Sequence, residues 1–226
     1  MPRFREFVLA CLIVVLHAQA GNATTIVVDT FAPDDGYDCC IGWAVGPSDA
    51  VWNYVTAQPF TPSESGVLSR AELAFGWVGV TRPPNADDEF AFSIRPDNAG
   101  QPGDGLVTSW NVAAVSLREY ASLDPQTGEF RDTFIRVPLH RSASLTTGNT
   151  YWLVISSLTM PGAWNVSTLG EVGRHCVSAS GDPWSCRDDG LPGAFRLYVA
   201  SVPEPGTLAL VGLGLAGLGF MRRRIG

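Results

Sequence analysis

Phe90-Ala91-Phe92-Ser93-Ile94-Arg95 decides the fold class. Large apolar side chains occupy every second position with small or polar ones between them. That is the period of a strand with one face buried, because successive Cβ atoms point to opposite faces of a sheet. Leu73, Phe75 and Trp77 show the same alternation upstream; Ile135, Val137 and Leu139, then Phe195, Leu197 and Val199, show it downstream. Tyr151-Trp152-Leu153-Val154-Ile155 is apolar throughout, as a central strand covered on both faces requires. Thr24 to Phe31, Val51 to Phe60, Leu106 to Val115 and Ala163 to Ser167 complete a set of about nine candidate strands.

The connections carry turn chemistry: Pro83-Pro84-Asn85, Asp97-Asn98-Ala99-Gly100, Pro102-Gly103-Asp104-Gly105, Asp124-Pro125-Gln126-Thr127-Gly128 and Thr147-Gly148-Asn149. No stretch sustains a 3.6-residue apolar period and nothing recurs at a fixed interval, which disfavours solenoids and propellers. The pattern predicts an all-β sandwich.

Both ends differ from this body. Arg3 and Arg5 precede an apolar run from Phe7 to Leu16, and Ala18-Gln19-Ala20 forms an A-x-A site, so a signal peptide over residues 1–20, cut after Ala20, is expected. At the other end, Val202-Pro203-Glu204-Pro205 leads into an almost uncharged span from Gly206 to Met221, closed by Arg222-Arg223-Arg224. As a helix, Thr207 to Met221 reaches roughly 23 Å against a hydrocarbon core of about 30 Å, a marginal transmembrane helix. The arginines act as a stop at the cytoplasmic face and leave the body outside the inner membrane, at least during sorting. Gly212-Leu213-Gly214-Leu215-Ala216-Gly217 matches a dinucleotide-binding string but lacks the strand and βαβ unit that motif needs; small residues for helix packing are the better reading.

This tail resembles the PEP-CTERM sorting signal, which bacterial exosortases process in Gram-negative species that secrete exopolysaccharide. The resemblance implies that Pro203, Glu204 and Pro205 are the recognised motif, that an exosortase-type enzyme and the inner membrane are partners in transit, and that the final place is the cell surface or an extracellular polymer matrix. It transfers location and processing only. Three features of the body, Gln58-Pro59-Phe60-Thr61-Pro62, Asp97-Asn98-Ala99-Gly100-Gln101-Pro102-Gly103 and Leu145 to Leu153, resemble exported choice-of-anchor domains. That second resemblance spans about residues 50 to 200 and implies a jelly-roll-like β-sandwich and no established activity.

Residues 21–201 suffice for one domain with a substantial core. They hold ten arginines, no lysine and twenty carboxylates, a net charge near −10. This sign argues against nucleic acid or an anionic lipid surface as a partner of the body, since both require a basic footprint. Cys39, Cys40, Cys176 and Cys186 remain after export, and an even number in an oxidising compartment reads as two disulfides. Cys39 and Cys40 are expected each to pair with one of Cys176 and Cys186, because a bridge between neighbours requires a strained peptide. The alternative joins Cys176 to Cys186 and leaves Cys39 and Cys40 as a vicinal pair. His175-Cys176 with the other cysteines offers zinc-type ligands, but without the usual C-x₂₋₄-C spacing.

Two histidines remain in the body, His140 and His175, and the common hydrolase motifs are absent. No catalytic residue is assigned and no cofactor is expected. A carboxylate-pair glycosidase is the alternative, with Asp87-Asp88-Glu89 as the densest acidic run, read here as a solvated loop. Calcium is the metal this acidity would suit, with Asp34, Asp35 and Asp38, or Asp97, Asn98 and Asp104, as oxygen ligands from loops. All seven tryptophans lie in the body. Trp77 and Trp152 fall on apolar strands and belong to the core. Trp43, Trp110, Trp164 and Trp184 lie nearer turns and are the candidates for an exposed platform on which sugar rings stack.

Overall fold

The computed structural model describes residues 24–48, 52–79, 82–123, 125–128, 133–139 and 143–200. The expected signal segment with Ala18 and Ala20, His140, the motif Pro203 to Pro205, the expected C-terminal helix and Arg222 to Arg224 lie outside the described residues. The described chain is almost wholly β, and Thr24–Val199 makes up one compact unit.

The strands are β1 (Thr24–Asp29), β2 (Tyr37–Pro47), β3 (Asn53–Phe60), β4 (Gly66–Trp77), β5 (Glu89–Asn98), β6 (Gln101–Pro102) and β7 (Thr108–Ala113). They continue with β8 (Phe134–Pro138), β9 (Ser144–Leu145), β10 (Tyr151–Ser156), β11 (Gly162–Ser167), β12 (Gly173–Ala179), β13 (Ser185–Gly190) and β14 (Phe195–Ala200). One layer runs β13-β12-β3-β10-β5-β7; the other is built on β4, with β14 and β11 on one edge and β8 and β9 on the other, β1 beyond β14 and β2 beyond β11. Consecutive strands cross between layers: β3 is followed by β4 opposite, β4 by β5, and β10 by β11. β10 thus inserts between β3 and β5 while β11 inserts between β2 and β4, the crossover of a jelly-roll-like sandwich.

The alternating positions meet in the middle. Phe90, Phe92 and Ile94 of β5 and Leu153 and Ile155 of β10 face Leu73 and Phe75 of β4 and Phe195 and Leu197 of β14 in one buried cluster. Phe75 packs edge-on against Phe90 at 4.8 Å and Phe92 at 5.5 Å, a geometry that places positive ring edges over negative faces. β10 has a second buried face because Trp152 and Val154 turn outward into another cluster with Ala57 and Cys176, roofed by Trp184 and Cys186. Its unbroken apolar run thus follows from two separate cores.

β2 belongs to both layers. Gly42 to Val45 pair with β11, whereas Gly46 and Pro47 pair with β3. Gly46 makes the transition: its φ is +79°, and a Cβ there would strike the Met160 carbonyl oxygen.

Candidate functional site

The surface where β2 meets the β12–β13 hairpin carries a pocket of 250 Å³ lined by Ile41, Gly42, Trp43, Arg187, Asp189 and Leu191 with their neighbours. β2 supplies one wall. Trp43 is half-buried and donates its indole N–H to the Leu191 carbonyl at 2.8 Å, which fixes the ring. One ring face is covered by His175 of β12, with centroids 3.6 Å apart and planes 17° apart. β13 supplies the polar rim, where Arg187 and Asp189 come together beside the register shift of the β12–β13 ladder. The Arg187 Nε and Nη2 donate to Asp189 Oδ1 and Oδ2 at 3.0 and 3.1 Å. That fork raises the guanidinium pKa and lowers the carboxyl.

His175 is buried and its Nε2 has no hydrogen-bond partner. Burial, helped by the Arg187 charge opposite it in register, pushes its pKa down to about 4, so the ring is neutral at physiological pH.

The cysteines form two disulfides, but the crossed pairing expected from sequence does not form. Cys39 bonds Cys40, and Cys176 bonds Cys186. The reason is register: Cys176 and Cys186 lie directly opposite each other in the β12–β13 hairpin with Cα atoms 4.0 Å apart, within bridging distance without help from β2. The hairpin bridge thereby fixes the strands that carry His175, Arg187 and Asp189.

The tryptophan platform is also corrected. Trp164 is fully buried, because β11 is a central strand between β2 and β4 rather than a turn margin. Its indole N–H donates to the Ala194 carbonyl at 3.2 Å, and a Cβ at Gly193 would collide with the ring, so only glycine lets that loop close over it. Trp110 stacks on Phe92 at 5.6 Å, and Trp184 roofs the second cluster. Of the four candidates, Trp43 lines the pocket described above. Trp152 is buried as expected, and Trp77 packs against the main core from its margin. Trp52, exposed on the approach to β3, carried no signal that set it apart.

The acidic runs separate by role. Asp88 is 2% exposed rather than solvated as expected: Arg82 grips it with Nη1 and Nη2, and the Asn85 N–H adds a third bond. The Arg82 bonds, then the Asn85 amide, hold its carboxyl well below the usual carboxylate range. Asp87 and Glu89 are exposed. Asp35 pairs with Arg196 at 2.8 Å, while Asp97 accepts the Trp152 indole N–H at 2.7 Å and the Gly100 amide at 3.1 Å. Among the described residues, the side chains that cluster as a set of three metal-type ligands are Asp38, Cys39 and Cys40.

Sequence reasoning missed Ile41, Gly42, Arg187, Asp189 and Leu191 as pocket residues. No spacing signal marks the Arg187–Asp189 pair, because the two residues span a register shift of the β12–β13 ladder.

Residues 201–224 match the PEP-CTERM protein-sorting motif. That motif is the recognition signal of an exosortase, so the chain is an exported protein, anchored transiently and processed at the membrane. No curated protein matches the chain.

Proposed function

We propose that this protein is a non-catalytic component of the cell surface or extracellular matrix whose sandwich binds a neutral sugar residue of a polysaccharide in the Trp43 pocket. The observation that carries the reading is the combination, in one pocket of 250 Å³, of a fixed indole with the Arg187–Asp189 fork at its rim. Drug-sized ligand sites run to about 300–1,000 Å³, so this one has the scale of a single sugar ring. An indole offers an apolar surface to the C–H face of a sugar, while the fork offers donors and acceptors to its hydroxyls. The ion pair leaves the rim without net charge, which favours a neutral sugar over a uronate. Asp189 is the one carboxylate among the lining residues, and it is held by Arg187, so the pocket lacks the opposed carboxylates of a glycosidase.

Titration of the exported protein with neutral and uronate-rich polysaccharides tests the reading. Trp43→Ala should weaken binding about tenfold or more, Arg187→Ala should weaken it as well, and Trp52→Ala should not. Binding that survives both pocket substitutions, or release of reducing sugar during incubation, would refute it.

A further inference from the structure

We propose that Asp38, Cys39 and Cys40 form a redox-gated site for a thiophilic divalent cation of the zinc or cadmium class. The site is closed while the two cysteines are bonded to each other and open once that bond is reduced. It begins with a mismatch in the β2–β11 ladder. Asn165 opposes Gly42, yet Ser167, two residues on, opposes Tyr37, so Asp38 to Ile41 face Val166 alone. The excess residues bulge outward, leaving Cys40 and Ile41 exposed.

The bulge is held from within. Asp38 Oδ1 accepts the amides of Cys40 at 2.8 Å and Ile41 at 3.1 Å, and the Asp38 carbonyl accepts Asn165 Nδ2 at 2.8 Å. Asn165 is fully buried and its Oδ1 accepts the Thr133 hydroxyl at 2.9 Å, so the tip rests on a rigid base. One ligand atom each from Asp38, Cys39 and Cys40 lies within 4.8 Å of the others. Two thiolates and a carboxylate form a set that selects zinc-like cations over calcium or magnesium, and exposure leaves a further coordination position to water.

The chemistry balances with a dithiol as reductant. Its thiolate attacks one sulfur of the Cys39–Cys40 bond, its second thiol resolves the mixed disulfide, and it leaves as a cyclic disulfide. Its two electrons and two protons pass to Cys39 and Cys40 as free thiols. The cation then displaces both thiol protons and forms two metal–sulfur bonds and one metal–oxygen bond. Cys176 is completely buried and Cys186 half-buried, whereas Cys40 is exposed, so the Cys39–Cys40 bridge is the one a mild reductant reaches first.

The test is a cadmium titration of the exported protein before and after mild dithiol treatment, followed by calorimetry and by thiolate-to-metal absorption. Mass mapping of alkylated peptides first confirms that Cys39 and Cys40 alone are reduced. Expected are no binding before reduction and a single ion per chain after it. Cys40→Ser should abolish the absorption band, and Asp38→Asn should keep the band but weaken affinity about tenfold or more. Should Cys40→Ser disturb folding, blocking both thiols of the reduced native chain with iodoacetamide supplies the same loss. No binding after reduction, binding that survives loss of Cys40, an unaffected Asp38→Asn variant, or an ion that follows Cys176 and Cys186 would overturn the site.

Discussion

The imidazole of His175 lies flat on the indole of Trp43, 3.6 Å between centroids, with Arg187 across the strand pair and Nε2 unbonded. A proton on that ring would sit buried beside an existing positive charge. The folded state therefore holds the pKa at about 4, below its ordinary value of 6.5.

The unfolded chain therefore binds the proton first as pH falls. Stability is full above pH 6.5 and declines as pH drops toward about 4, by about 3 kcal/mol in all. Urea unfolding at pH 7.5 and pH 4.5 should show most of this loss in the native protein. His175→Phe keeps an aromatic ring against Trp43 without the titration, and its decline across that interval should shrink to the smaller part set by the carboxylates. A native-like decline in the variant would place the pH dependence elsewhere.

The two disulfides should differ in worth. Cys176–Cys186 closes a loop with a sequence separation of 10, so replacing both with alanine should cost about 2–4 kcal/mol. Cys39–Cys40 joins neighbours and constrains almost no loop in the unfolded chain. Its removal at an exposed bulge should change stability by no more than about 0.5 kcal/mol. Denaturant midpoints of the two double variants decide the matter.

On the outer face of the β4 layer, Glu72 is 1% exposed and accepts Tyr198 Oη at 2.8 Å and Arg136 Nε at 2.7 Å, with Arg196 at 3.4 Å. Burial alone would raise its pKa, but the Tyr198 and Arg136 bonds outweigh it and the net shift is downward. The carboxylate therefore contributes stability above the ordinary carboxyl range, and that contribution fades in acid as Glu72 is protonated. Glu72→Gln should cost about 3 kcal/mol, because several arginines lose their counter-charge, and Tyr198→Phe about 1–2 kcal/mol. Thermal unfolding of both variants at neutral pH checks the order.

Where side-chain period and burial coincide, the strands were legible: β5 from Phe90, Phe92 and Ile94, and β10 from its continuous run. β2 was not, because Asp38-Cys39-Cys40 interrupts any period with a bulge and Gly42 and Gly46 look like turn residues. β12 and β13 were hidden for a related reason: Arg, His, Asp and Cys on an edge hairpin give no apolar alternation to read. The pocket lies between those unread strands. Trp43 stands out in the sequence as a candidate for exposure, but what makes it part of a site, the His175 stack and the Arg187–Asp189 rim, depends on long-range pairing. Trp164 misled because closeness to a turn in sequence says nothing about a strand enclosed on both edges.

We propose that Glu204, the carboxylate between Pro203 and Pro205 in the matched sorting motif, is the group the processing enzyme reads. Glu204→Ala should leave the unprocessed chain in the inner membrane while the circular dichroism of the sandwich stays unchanged. Deleting Arg222 to Arg224 should instead weaken the stop and let the chain slip outward. Cell fractionation in a host that has the exosortase separates the two outcomes, and normal release of the Glu204 variant would reduce the tail to a plain anchor.

Export, processing at the tail and two disulfides together fix the mass of the mature chain. The intact mass of the protein recovered from its native cells, measured before and after reduction and alkylation, reads all three. A chain lacking residues 1–20 and shortened at the Pro203-Glu204-Pro205 end, which takes up alkyl groups on four cysteines only after reduction, is the predicted result. A mass that retains the tail through Arg224, or cysteines that alkylate without reduction, would contradict it.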